Sequence, residues 1–450
     1  MTIDLSTITF TDQDDIVPES GEESILNTAI ANTLDGNDTI TGIGGPFNIY
    51  DPPPDSSPYG IFNSGTLNTA EGKDIITGTG GVNGIINSGT FNTGEGNDII
   101  SGQGGYYYGI YNSGMFNTGE GSDIISGGAG GVGIYNTGTF NTAEGNDVIT
   151  GTGSKSSGIF IADGSTFDTG NGHDRISGNG FYIGIRNASM TFNTGDGNDT
   201  IEGTASGYYG IENKGHINTG NGKDTIITTP TYGGAIGNFS TIDTGGGDDI
   251  ITAANFDNEG TIDTGNGDDI ITAGNFDNEG TTDTGNGDDI ITAGNFINEG
   301  TINTGNGNDS IIGTQALALW RIETNGTINT GDGNDTITSN DNIRNDGTIN
   351  TGNGADFIIA NGGFSGMGSV FLGNGKDYLK GFGTGKFNGG NNQDTLELTS
   401  GTYTVGISGT TVSFTNSGVI METSEFEKLI AGSTTYNFTS LTQGQIIVVP

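Results

Sequence analysis

Apolar and polar residues alternate at period two through most of the chain, the period of a strand whose successive side chains point to opposite faces. In NFDNEGTIDTGNGDDIIT, residues 255–272, one parity holds Phe256, Asn258, Gly260, Ile262 and Thr264, and Ile271 is the next interior candidate after the turn. The same places are taken elsewhere by Ile110, Asn112, Gly114, Phe116, Thr118 and Ile125. Helix is excluded by the 87 glycines, since an interior glycine costs a helix about 1 kcal/mol relative to alanine. The pattern predicts units of strand, turn, strand.

Those units repeat. Aligned on G-x-G-x-D, the chain gives Asp98, Asp123, Asp174, Asp199, Asp224, Asp249, Asp269, Asp289, Asp309, Asp335, Asp356 and Asp377. Looser copies add Asp38, Asp74, Asp147 and Asp394. The spacing is 20 residues between Asp249 and Asp309, 21 from Asp335 to Asp356 and on to Asp377, and mostly 24 to 27 in the N-terminal half. A period of this size marks a solenoid, whose coils bury their apolar faces only against the coils above and below. The predicted fold is all-β, a right-handed parallel β-roll or β-helix of about sixteen coils with a C-terminal β cap. Its divisions are an N-terminal cap over 1–32, repeats over 33–400, and a tail over 401–450 where glycine falls and Thr, Ser, Val and Ile rise.

A second column recurs with the coil, at Asn63, Asn87, Asn112, Asn136, Asn213, Asn238, Asn258, Asn278, Asn298 and Asn345. Stacked asparagines hydrogen-bond along the axis, so this column is read as structural.

Charge changes the picture. There are 54 acidic residues against 12 basic ones, a formal net charge of -42, with only 30% apolar residues. Such a chain cannot offset its ordering entropy and self-repulsion unless something neutralises it. The same charge makes nucleic acid or an anionic membrane surface a poor partner, since both demand Lys and Arg on the protein side. No cysteine is present to staple the fold, no run is long enough for a membrane span, and the first twenty residues lack a signal peptide's basic start and apolar stretch.

In a stack with about 4.8 Å between strands, the motif aspartates form a column of like charges, repelling by roughly 3 kcal/mol per contact at an effective dielectric of about 20. No basic column compensates. A hard divalent cation between successive turns would do so, liganded by carboxylates and by turn carbonyls, the oxygen environment that calcium prefers. Glycines such as Gly265 and Gly267 permit positive φ and are expected to point carbonyls inward as further ligands.

These turns resemble the nonapeptide G-G-x-G-x-D-x-U-x of the RTX, or haemolysin-type, calcium-binding proteins of bacteria. The copies read TGEGNDIIS at 93–101, TGNGDDIIT at 264–272 and 284–292, and TGDGNDTIT at 330–338, and the resemblance covers roughly Thr33 to Glu397. It implies calcium between motifs on neighbouring coils, held by the sixteen aspartates and by carbonyls such as those of Gly265 and Gly267. It also implies folding on extracellular calcium and export by a one-step type I channel with an uncleaved C-terminal signal in the tail. The first glycine of the nonapeptide is usually threonine, as at Thr93 and Thr264, or Leu372, and Asn392 replaces a glycine before Asp394. One motif per coil alternates with an asparagine segment, so a single ion column on one edge is expected.

Other chemistry is sparse. His173 and His216 occupy solvated repeat positions, and neither H-E-x-x-H nor G-x-S-x-G occurs. Lys155, Arg175, Arg186, Lys214 and Lys223 are too scattered to predict a groove for an anionic sugar. Tyr106, Tyr107, Tyr108, Tyr208 and Tyr209 lie in inserted glycine-rich stretches and are expected to cover a coil edge, or else to stack on sugars. PFNIYDPPPDSSPYG reads as a loop, and Trp320 as packed into an irregular coil. The sequence thus predicts a secreted, extracellular or cell-surface calcium-binding structural or adhesive protein, with cell-surface carbohydrate or self-assembly as its partner. The alternative is a carbohydrate-active lyase, epimerase or hydrolase.

Overall fold

The computed structural model describes residues 2–18, 23–45, 58–229, 234–314 and 322–450. The proline-rich stretch over 46–57 and Trp320 lie outside them. The chain divides into two compact units, Met1–Gly246 with Thr252–Ala254, and Gly247–Ile251 with Asn255–Pro450. Both are built from parallel strands stacked as a β-solenoid, and each carries eight of the motif turns.

A coil of the first unit runs through three strands rather than two. Ile99–Gly104, Tyr108–Asn112 and Met115–Asn117 are followed by the turn that carries Asp123. Each strand pairs in parallel register with its counterpart one coil on: Ile100 with Ile125, Ile110 with Ile134, Phe116 with Phe140. The period-two pattern therefore stacks like on like. Phe91, Phe116, Phe140 and Phe167 form an inner pile with centroids 4.7 to 4.8 Å apart. The extra corner explains the longer N-terminal period. Where the first two strands of a coil meet, their backbones touch without side chains: a Cβ placed on Gly102 would lie 2.3 Å from the Gly109 carbonyl, and one on Gly151 2.3 Å from that of Gly158. The inserted glycines thus make a thin flange, and Tyr106 and Tyr107 stand exposed at its tip. Parallel pairing already begins near the N-terminus, where Thr2–Asp4 pairs with Ser24–Leu26 and Ile16–Val17 with Thr39–Ile40.

The 20-residue coils of the second unit have no flange. Coils of 20 residues run through one nine-residue strand, Ile270–Asn278, and a short one, Thr281–Asp283. Ile271 sits over Ile291 and Phe276 over Phe296. Within the long strand the burial alternation slips at Gly274 and Asn275, which are both exposed, so the corner survives as a bend.

From Gly401 antiparallel pairing joins the parallel stack. Val419–Ser424 lies parallel on Gly385–Asn388, and Thr411–Asn416, Gly401–Ser408 and Ile446–Val449 add to it in turn. Lys428–Ala431 continues the other sheet from Thr395–Leu398. Tyr403, Phe414 and Met421 are buried beneath this cap. Among the described residues no helix is long and apolar enough to cross a membrane.

The asparagine column forms as expected. Asn63, Asn87 and Asn112 are fully buried, each donating from Nδ2 to the Oδ1 of the next asparagine at 2.7 to 2.8 Å and to a backbone carbonyl one coil on. Asn27 and Asn187 belong to it as well, while Ile161 and Thr324 interrupt it, with their backbones in the same register.

Candidate functional site

The turn closing most coils is set by two glycines with positive φ, 86° at Gly265 and 137° at Gly267. A Cβ on Gly267 would stand 1.8 Å from the Gly247 carbonyl oxygen one coil below, so only glycine lets the turns stack at strand spacing. The expected direction of the carbonyls needs correction. They run along the solenoid rather than into its interior: the Gly265 oxygen accepts from the Asn286 N–H of the next coil at 2.9 Å.

This tight turn folds the aspartate inward. All sixteen motif aspartates, from Asp38 through Asp394, are at most 1% exposed. In the first unit the backbone N–H of Asp74 donates to Asp98 Oδ1, that of Asp98 to Asp123, and that of Asp123 to Asp147, each at 2.8 Å. The second unit repeats the ladder from Asp249 to Asp269, Asp289 and Asp309, and on through Asp335, Asp356, Asp377 and Asp394. Its ends are residues outside the G-x-G-x-D motif. Asp15 donates its N–H to Asp38 Oδ1, and Glu427 Oε2 accepts from the Asp394 N–H. Each precedes an apolar strand, as the motif aspartates do, and that spacing was the available signal.

The second carboxylate oxygen is the unusual one. Oδ2 of Asp98, Asp123, Asp174, Asp269, Asp289 and Asp356, among others, is buried with no hydrogen-bond donor. The neighbouring threonines approach it and ease its ionisation, but most give their hydroxyl proton to the carbonyl of the next coil: Thr93 to Thr118 at 3.0 Å, Thr142 to Thr169 at 3.1 Å, Thr351 to Leu372 at 2.9 Å. Threonine before the first turn glycine is therefore a built ladder of its own, which a reading of it as a departure from the nonapeptide missed. Thr69 and Asp74 are in direct hydrogen-bonding contact.

Burial is the first cause of the electrostatics here. It lifts Asp98, Asp147, Asp199, Asp289 and Asp377 to about 7 and Asp74, Asp174, Asp269, Asp309, Asp356 and Asp394 to about 6, against the ordinary 3.8. Asp38, Asp123, Asp224 and Asp335 are raised for the same reason. Repulsion between neighbouring aspartates adds to this but ranks behind it, so the carboxylates are held back from ionising mainly because they have left water.

Among the described residues no three Asp, Glu, His or Cys side chains gather into a group able to hold a metal by themselves. On the outer side of the turns of the first unit lies an open acidic groove, lined by Asp35, Glu71, Glu95, Glu120 and Glu144, the residue between the two positive-φ positions of each turn, one from each coil. In the second unit the same position carries an exposed asparagine ladder through Asn266, Asn286 and Asn306. His173 accepts from the Asn198 N–H at the surface. Tyr106, Tyr107 and Tyr208 are exposed, whereas Tyr108, Tyr111 and Tyr135 pack on one another on the outer sheet face, at 5.2 to 5.6 Å between centroids.

Comparison with protein-family models, curated proteins and solved structures finds no match. The class rests on the fold alone: an all-β parallel solenoid repeat protein with a buried aspartate ladder.

Proposed function

We propose that the chain is a secreted structural or adhesive solenoid whose turns take up calcium, and that this uptake drives its folding outside the cell. The observation that carries the reading is the column of buried, donorless Oδ2 atoms on carboxyls that burial pushes towards neutrality. Such an oxygen calls for a proton or a hard cation, and a repeat of carboxylate and turn oxygens suits calcium. The residues that would hold it are the sixteen motif aspartates; side chains alone do not gather in threes, so main-chain oxygens would have to complete each shell through the lone pair left beside their hydrogen bond between coils. Bound calcium would supply the positive charge that the column lacks. The chain's own part is to fix the carboxylates in register, one Oδ1 tied to each preceding N–H.

The extracellular setting follows from the same thermodynamics. At intracellular calcium the charged chain stays extended and fits a channel, and at roughly 10⁻⁴ to 10⁻³ M it folds on emerging. The tail from Gly401 is then both cap and type I export signal. The acidic groove argues against the carbohydrate-active alternative, since its carboxylates are repeat positions contributed coil by coil and not a single converging pair.

The ladder supports a second reading, in which the carboxyls are simply protonated hydrogen-bonding groups. Circular dichroism during calcium titration of the purified chain at pH 7.5 separates the two. Calcium uptake predicts a cooperative gain of β signal reversed by chelator; a β-rich spectrum that melts cooperatively in excess chelator rejects it. Asp269→Ala should then shift the calcium midpoint more than Asp257→Ala, which lies outside the turn.

A further inference from the structure

The cap ends in an open strand. Ile446–Val449 pairs on one side with Gly401–Thr404, and that is its sole strand partner among the described residues. Its other edge presents unpaired main-chain donors and acceptors, a template for one more strand. Natural edges are commonly blunted by lysine, a bulge or an inward charge; this one reads Ile-Ile-Val-Val. Ile447 and Val449 turn into the cap, while Ile446 and Val448 face solvent at 65% and 64% exposure. The outer face continues in kind: Ile446 lies opposite Thr404, Thr404 opposite Thr415, and Thr415 opposite the half-exposed Ile420.

The distribution of charge says what can approach this edge. Residues 401–450 contain only Glu422, Glu425, Glu427 and Lys428 as charged groups, in a chain of net charge -42. A strongly basic partner would be drawn to the acidic coils and not to this face. Two copies of the chain repel through their acidic coils, but they can meet through their caps, which carry little charge. We propose that the Ile446–Val449 edge is a homotypic docking site, at which the same strand of a second copy adds antiparallel to give one continuous sheet through both caps. Pairing of like strands closes on itself, so the product is a dimer and not a filament. Main-chain hydrogen bonds supply the contact, and Ile446 and Val448 of each copy cover one another.

The test uses the full chain in calcium-containing buffer, with circular dichroism confirming that it is folded and sedimentation equilibrium measuring its mass. The expected result is a concentration-dependent rise from 45.9 kDa to twice that value, stronger at higher salt as repulsion is screened. Ile446→Lys/Val448→Lys changes only exposed positions, so the fold should persist while dimer affinity falls at least about tenfold, like charges being forced together across the new strand pair. A chain that stays at 45.9 kDa up to millimolar concentration overturns the proposal. So does a dimer that the lysine variant leaves intact, or growth beyond two copies.

Discussion

Ala70 and Ala143 stand at the first glycine of their turns with φ of 61° and 64°, and Leu34 does the same at 65°. Left-handed backbone costs a residue with a Cβ roughly 1 to 2 kcal/mol, part of which glycine gives back through its looser unfolded state. Ala143→Gly should therefore stabilise the protein by up to about 1 kcal/mol, read as a higher urea midpoint with unchanged m. The second turn glycine is less forgiving. Gly267→Ala meets both the φ of 137° and the Gly247 carbonyl, and should cost about 3 kcal/mol or split the melt into two transitions. Positive φ was legible from G-x-G, but the stacking of one glycine under the next carbonyl was not, because it depends on the coil below.

A ladder is an element here in the way a helix is elsewhere, and its rungs are coupled. Asn112 accepts from Asn87 and donates to Asn136 Oδ1 and the Thr139 carbonyl, all fully buried or nearly so. Asn112→Ala strands both neighbours and should cost about 3 kcal/mol by chemical denaturation. Asn112→Ile should cost less than Asn112→Ala, since Ile161 shows that the column accepts an apolar residue there, fully buried and in register. The inner strand face, Phe256 through Thr264, was legible from alternation alone. The third strand of the longer coils was not: its corner is made by backbone contact at glycines such as Gly102 and Gly109, which alternation cannot register.

At the scale of the molecule, the raised aspartates link folding to pH. Folded carboxyls such as Asp98 and Asp269 sit at about 7 and about 6, against 3.8 for the ordinary group, so the folded state binds more protons between those values. Without calcium, stability is then fullest at acid pH and is lost as pH rises through about 6 to 7. In chelator, the chain should be β-rich near pH 4.5 and should lose that signal towards pH 8, while calcium restores it at pH 8; a calcium-free melting temperature that rises with pH contradicts this sign. Deleting residues 401–450 should abolish export, and undiminished secretion of the truncated chain rejects a signal there.

Period, strand parity, the two polar columns and the charge imbalance belong to the sequence, because each is a statement about residues that recur at fixed separations. They sufficed for a parallel solenoid and for the sixteen aspartates as one chemical series. Tertiary structure alone decided that those aspartates are buried rather than exposed on the turns, that Thr93 and its equivalents form a ladder, and that Asp15 and Glu427 close the aspartate series. The reason is physical: hydrogen bonds between coils join residues 17 to 36 positions apart, and which oxygen meets which donor depends on how one turn sits on the next.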